Sequence, residues 1–193
     1  MSKAVMISIR PKWCEKVCNG EKTIEVRKTR PKLQTPFKCY IYCTMDHPYI
    51  SVSCGELDKL NYRTNTVGRC NGKVIVEFIC DRIYELETRS PGGSYFVKGE
   101  GQPTTNDVAR QSCLSLRDMH EYLQAGKGYG WHISKLKIYD TPKELIKFHT
   151  WKKCKSCSKS GYESTACIYD ENCMIPAAIT KAPQSWCYVE EQK

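Results

Sequence analysis

Hydrophobic and polar positions alternate from Ala4 to Ile9, with Val5, Ile7 and Ile9 on one face, which predicts a half-buried strand. Pro11 then suits the first turn of a helix whose inner face carries Trp13 or Cys14, Val17 and Cys18, and Gly20 ends it. The stretch Asn19 to Arg30, NGEKTIEVRKTR, continues as a short strand from Thr23 to Lys28. Strand side chains alternate between faces, so Ile24 and Val26 point toward a core while Thr23, Glu25 and Arg27 share the other face, with Lys22 at the entrance. A basic, proline-flanked link from Lys28 to Lys38 leads to a further strand, Cys39 to Cys43, and residues 44–68 read as a polar, irregular excursion.

Cys70-Asn71-Gly72-Lys73 holds the Asn-Gly pair of a tight turn and opens an apolar run, Val74 to Ile79, suited to a central strand that continues toward Tyr84. Residues 89–106, with four Gly and two Pro, read as a mobile loop near a site. Ser115 and Asp118 form a capping-box pattern that opens a helix closing near Gly126. Trp131 to Tyr139 predicts a strand, and Thr141-Pro142-Lys143-Glu144 offers the start of a helix through Phe148. After His149 the chain turns poor in aliphatics and rich in Cys, Ser and Lys, too polar to bury a core of its own, until Ser185 to Glu190 recovers strand character.

Composition adds two constraints. Net charge is +9, and residues 1–38 hold ten Lys/Arg against three Glu, a local excess of +7 that favours a polyanionic partner, nucleic acid first. Solubility alone gives many small domains a similar charge. Thirteen cysteines, an odd number with no apolar leader pattern in MSKAVMISIRPK, argue against a disulfide framework and for a cytoplasmic protein. No apolar run is long enough to span a membrane. Most of the first eight cysteines fall on apolar-patterned positions and read as small core residues.

Three constellations carry chemistry. Glu25 and Arg27 with Lys22 read either as a solvated surface ion pair or as a binding face, on which Arg27 grips a carboxylate or phosphate and Lys22 acts as a movable charge. In a cleft, Lys22 and Glu25 would shift each other's protonation and serve general acid–base catalysis. Cys154-x2-Cys157-x9-Cys167-x5-Cys173 has the knuckle spacing of a structural zinc site, with His149 or Cys187 as substitute ligands and an ordered loop with free thiols as the alternative. Trp131 and Trp186, with Tyr129 nearby, are either core packing or stacking partners for a base. His47, His120 and His132 show no mutual spacing of a site.

Gly20, Lys22, Glu25 and Arg27 match the G-x-K-x-x-E-x-R pattern of the ASCH domain, and ISIRPKWCEKVCNGEKTIEVRKTRPK, GYGWHISKLKIYD and PQSWCYVEE resemble one of its subgroups in the right order. The resemblance implies an α+β fold, a small and mostly antiparallel PUA-like β-barrel with flanking helices, and the composition after His149 adds a Cys-rich insertion before the last strand. Residues 1–149 would form the barrel, 150–180 the zinc-binding insertion and 181–193 the closing strand. It implies binding of RNA or a modified nucleobase or nucleotide by Lys22, Glu25, Arg27, Lys28, Arg30, Trp131 and Trp186. An enzyme of the same family would hydrolyse acetylcytidine or cleave RNA, with Lys22 and Glu25 as its catalytic groups. Lys22 matches the lysine of the amidohydrolases, Glu25 stands at their threonine position, and their glutamate falls near Ser112, where no acid is found. A third possibility is an adaptor that binds proteins through the Cys-rich insert.

Overall fold

The computed structural model describes residues 2–50, 70–88, 93–124, 126–153 and 174–192. In chain order the elements are β1 (Lys3–Ile9), α1 (Pro11–Cys18), β2 (Ile24–Arg27), β3 (Phe37–Cys43), β4 (Lys73–Thr88), β5 (Tyr95–Val97), α2 (Thr105–Ser112), α3 (Leu116–Leu123), β6 (Gly128–Glu144), β7 (His149–Lys153), β8 (Met174–Ala178) and β9 (Trp186–Glu190). A 3₁₀ turn, Leu145–Lys147, joins β6 to β7. The class is α+β, mostly sheet, with three helices packed outside.

Seven strands form one sheet in the order β2-β6-β4-β3-β1-β9, with β5 added to β4. All pairs are antiparallel except β1 with β3, which run parallel in the register Val5↔Cys39 to Ile9↔Cys43. Parallel neighbours need a crossover, and here it consists of α1 and β2. That crossover places the motif strand on the far edge of the sheet, against β6.

The closed barrel expected from the sequence is not formed: the sheet is open, with β2 and β9 as its edges. Among the described residues, side chains bridge those edges. The Trp186 indole N–H donates to Thr29 Oγ1 at 3.0 Å, and Arg27 donates to Ser185 Oγ at 3.4 Å. The last strand therefore pairs with β1 and closes nothing. Three register shifts between β4 and β6 supply the bends that bring the edges close.

Three packed clusters hold the sheet. Val5, Ile7, Ile41, Phe78 and Trp131 meet Cys14, Val17 and Cys18 of α1 on one face. Ala4, Met6, Tyr40 and Val189 meet Phe148 and Ile179 on the other, so β1 is buried on both faces rather than half-buried. Ile24, Val26, Tyr84 and Leu86 receive Val108, Met119 and Leu123 from α2 and α3. Cys14, Cys18, Cys39, Cys43, Cys70 and Cys80 are buried free thiols.

Two further expectations are corrected. Residues 141–144 do not start a helix: β6 runs through Glu144, because Lys143 and Glu144 pair with Val74 and Lys73, and Pro142 falls within the widest irregularity of that ladder. Within 89–106 the structure holds β5 and the start of α2, which is opened by a Thr104/Asp107 capping box like the Ser115/Asp118 box of α3. A turn does form at Asn71-Gly72, with Gly72 at φ +82° and Lys73 N–H bonded to Cys70 O, but β3 ends at Cys43, too far back for a tight hairpin; most of the excursion expected over 44–68 lies outside the described residues. The antiparallel pair β7–β8, which the sequence did not reveal, flanks residues 154–173, which lie outside the described residues.

Candidate functional site

Lys22, Glu25 and Arg27 converge at the floor of a cleft of about 770 Å³ between α1, β2, the start of α3 and the approach to β9. Their positions follow from β2. It lies at the sheet edge, its apolar residues Ile24 and Val26 turn into the α2–α3 cluster, and the alternate face is left for Glu25 and Arg27.

All three are almost fully buried. Lys22 Nζ donates to Ser112 O at 2.7 Å, lies 3.1 Å from Glu25 Oε2 and sits 5.4 Å from the Trp13 ring centre. Arg27 donates to Ser8 O at 2.6 Å, and its Nε lies 2.9 Å from Glu25 Oε1 in an ion pair whose N–H is not aligned as a hydrogen bond. Burial pushes the Glu25 carboxyl upward, and the charges of Lys22 and Arg27 outweigh that, holding it below the ordinary carboxylate range. Glu25 is thus a carboxylate clamped between two cations, and the trio carries one net positive charge. Beneath it, burial pushes the Cys14 thiol well up, with Cys43, Cys18 and Glu25 adding to the effect, so this sulfur is a packing group rather than a nucleophile.

The walls come from residues without a motif. Trp13, on α1, lines the cleft, since Cys14 rather than Trp13 takes the buried position of the helix. Tyr122 and Leu114 line it from the α3 side, and Met45 and Asp46 from the excursion after β3. Asn71 fastens that rim: it donates to Asp46 O and Pro48 O and accepts from Ile50 N–H.

The remaining sequence candidates lie elsewhere. Lys28 is exposed beside the mouth, 5.4 Å from the Tyr122 ring centre. Arg30 is exposed and pairs with Glu85 at 3.7 Å. Trp131 is fully buried, edge-on to Phe37 and Trp186 at 6.1 and 6.0 Å, and neither tryptophan lines the cleft. Cys154, Cys157, Cys167 and Cys173 lie outside the described residues. Among the described residues no group of three or more His, Cys, Asp or Glu is placed to hold a metal ion. His149 pairs with Ala178 at the base of the β7–β8 hairpin. The structure also joins His132 Nδ1 to Asp81 Oδ1 at 2.6 Å, a pair 51 residues apart that no sequence pattern signals.

No protein-family model matches the chain, and no curated protein matches it. Among solved structures, the crystal structure of ASCH from Zymomonas mobilis is 14% identical, covering 97% of this chain and 88% of that one with a TM-score of 0.50. A serine-to-alanine mutant of the same protein gives the same identity and TM-score over 97% and 89%. At this identity the likeness concerns the backbone alone. No helix among the described residues is long and apolar enough to cross a membrane. The chain has the fold of an ASCH domain.

Proposed function

We propose that this chain binds RNA or a modified nucleobase or nucleotide in the cleft above Lys22, Glu25 and Arg27. The observation that carries the reading is the buried trio itself: two cations and one ionised carboxylate held at the base of an open cleft with an indole on its wall. Three charged side chains at least nine-tenths buried are expensive to maintain for stability alone, since a well-packed apolar set of the same volume commonly serves a core as well or better. A carboxylate fixed by cations, beside an aromatic wall, suits the hydrogen-bonding edge and face of a base.

Binding is favoured over hydrolysis by the partner of Lys22. At the position where the amidohydrolases of the family would place an acid, Lys22 meets the carbonyl oxygen of Ser112, and the acid that does lie beside it, Glu25, is shared with Arg27. Incubation with acetylcytidine and with labelled single-stranded RNA tests the choice. The expected outcome is RNA binding without turnover, weakened by Lys22→Ala. Turnover that Lys22→Ala abolishes would replace the binding module with an enzyme.

A further inference from the structure

The hydrogen bonds of the floor decide which end of a nucleotide faces it. Arg27 has committed its guanidinium to Ser8 O, Ser185 Oγ and the Glu25 carboxylate. Lys22 has committed its ammonium to Ser112 O and Glu25. A phosphate entering this floor would have to strip both cations of their partners and would meet the Glu25 carboxylate head-on. The deep basic pair is therefore not a phosphate site, although the sequence motif reads as one.

The mouth is built differently. Lys12 is exposed, with its ammonium 4.5 Å from the ring centre of Trp13 on the cleft wall. Across the cleft, Lys28 is exposed with its ammonium 5.4 Å from the ring centre of Tyr122, itself 40% exposed. Lys12 rests on an aromatic face, and Lys28 lies by one while donating to Gln124 Oε1 at 3.3 Å; all of these contacts are weak at an exposed site. A base stacking on either ring displaces the lysine toward the sugar-phosphate backbone, which is the arrangement single-strand binders use.

We propose that the ligand is a segment of single-stranded nucleic acid that enters base first. One base presents N–H donors to Glu25, while its phosphates stay at the mouth with Lys12 and Lys28 and its neighbours stack on Trp13 and Tyr122. This rests on the nucleic-acid reading above and adds to it the orientation, the polymer and the two mouth platforms. A duplex is disfavoured, because a paired and stacked base reaches the floor only by flipping out of its stack at a cost of about a few kcal/mol.

The test uses fluorescence anisotropy of the full chain with a labelled single-stranded RNA of about ten nucleotides, the same sequence as a duplex, and inorganic pyrophosphate as competitor at constant ionic strength. The expected results are binding of the single strand, at least about tenfold weaker binding of the duplex, and no competition by pyrophosphate. The double variant Lys12→Ala/Lys28→Ala lowers the slope of log affinity against log salt by about 1.4, one single-strand phosphate contact each. Trp13→Ala weakens binding about tenfold with the salt slope unchanged, as expected for loss of a stacked base. Competition by pyrophosphate that Arg27→Ala removes would overturn the base-first orientation and leave the nucleic-acid reading standing. Equal affinity for duplex would overturn the single-strand assignment in the same way. Binding of neither RNA would overturn both readings.

Discussion

Lys22 Nζ and Glu25 Oε2 stand 3.1 Å apart in a site where the lysine is 3% exposed and the glutamate 7%, with Arg27 on the other carboxylate oxygen. Removing the middle charge of such a trio leaves two buried cations without a counter-ion. Glu25→Gln is expected to destabilise the fold at pH 7 by about 3–5 kcal/mol, the range for breaking a buried ion pair from one side. The folded carboxyl titrates below its ordinary value of 4.5, so its contribution is complete above that value and is withdrawn as pH falls through the lower folded one. Denaturation of both proteins across pH 3–7 checks this. The gap should be full at neutral pH and shrink in acid, and a gap independent of pH would remove Glu25 from the ion-pair role.

The same substitution bears on recognition. Glu25→Gln replaces one of the two acceptor oxygens with an NH2 donor, so a base N–H facing that oxygen meets a donor and is left unpaired, which costs about 1–3 kcal/mol. Comparing homopolymeric single-stranded RNAs, Glu25→Gln should compress the differences between bases while general affinity is unchanged or raised by the lost negative charge. Unaltered selectivity and affinity would mark Glu25 as a purely structural residue.

Trp131 offers the opposite test. It is fully buried against Phe37 and Trp186, and its indole N–H has no hydrogen-bond partner among the described residues. Trp131→Ala should cost about 3–5 kcal/mol by emptying the core. Trp131→Phe, which removes the orphaned N–H, should retain wild-type RNA affinity. A loss of affinity in a stably folded Phe variant would return Trp131 to the binding surface.

Asn71 ties three backbone groups of the cleft rim at 2.6–3.1 Å. Asn71→Ala leaves Ile50 N–H without its acceptor, and a loss of about 1–3 kcal/mol is expected. Because the rim holds Met45 and Asp46, RNA affinity should fall as well, measured at a temperature where the variant is folded.

What the sequence discloses and what it hides divide along a physical line. Local and periodic signals are visible: the alternation across β2 that puts Glu25 and Arg27 on one face, and the Ser115/Asp118 box that starts α3. The equivalent Thr104/Asp107 box of α2 is masked by the Gly- and Pro-rich composition around it. At Thr141-Pro142 a sound local helix signal loses to the β4 ladder, a non-local competitor. Trp13 follows from a one-residue choice in helix phase, since Cys14, Val17 and Cys18 at i, i+3 and i+4 complete the buried stripe without it. The openness of the sheet depends on how two distant edges meet, and no single stretch encodes that.

The cysteines at 154, 157, 167 and 173 remain a zinc proposal resting on spacing. Elemental analysis of chelator-washed, reduced protein should find about one zinc per chain. Cys154→Ser with Cys157→Ser should release it while the main sheet keeps its denaturation midpoint. Freshly purified protein without metal would end the proposal.

The last rung of the β7–β8 ladder pairs Lys153 with Met174, so the two ends of residues 154–173 are held at adjacent points. A segment with such neighbouring ends behaves as a cassette. Doubling its length changes the closure entropy by only about 0.6 kcal/mol, and cutting it to a short turn should leave the hairpin able to close. The tip of this hairpin is therefore a docking port for sequence: different inserts can be exchanged there at little expense to the cleft, which is assembled from other strands. Binding specificity at the cleft and whatever the insert adds are then free to evolve as separate traits.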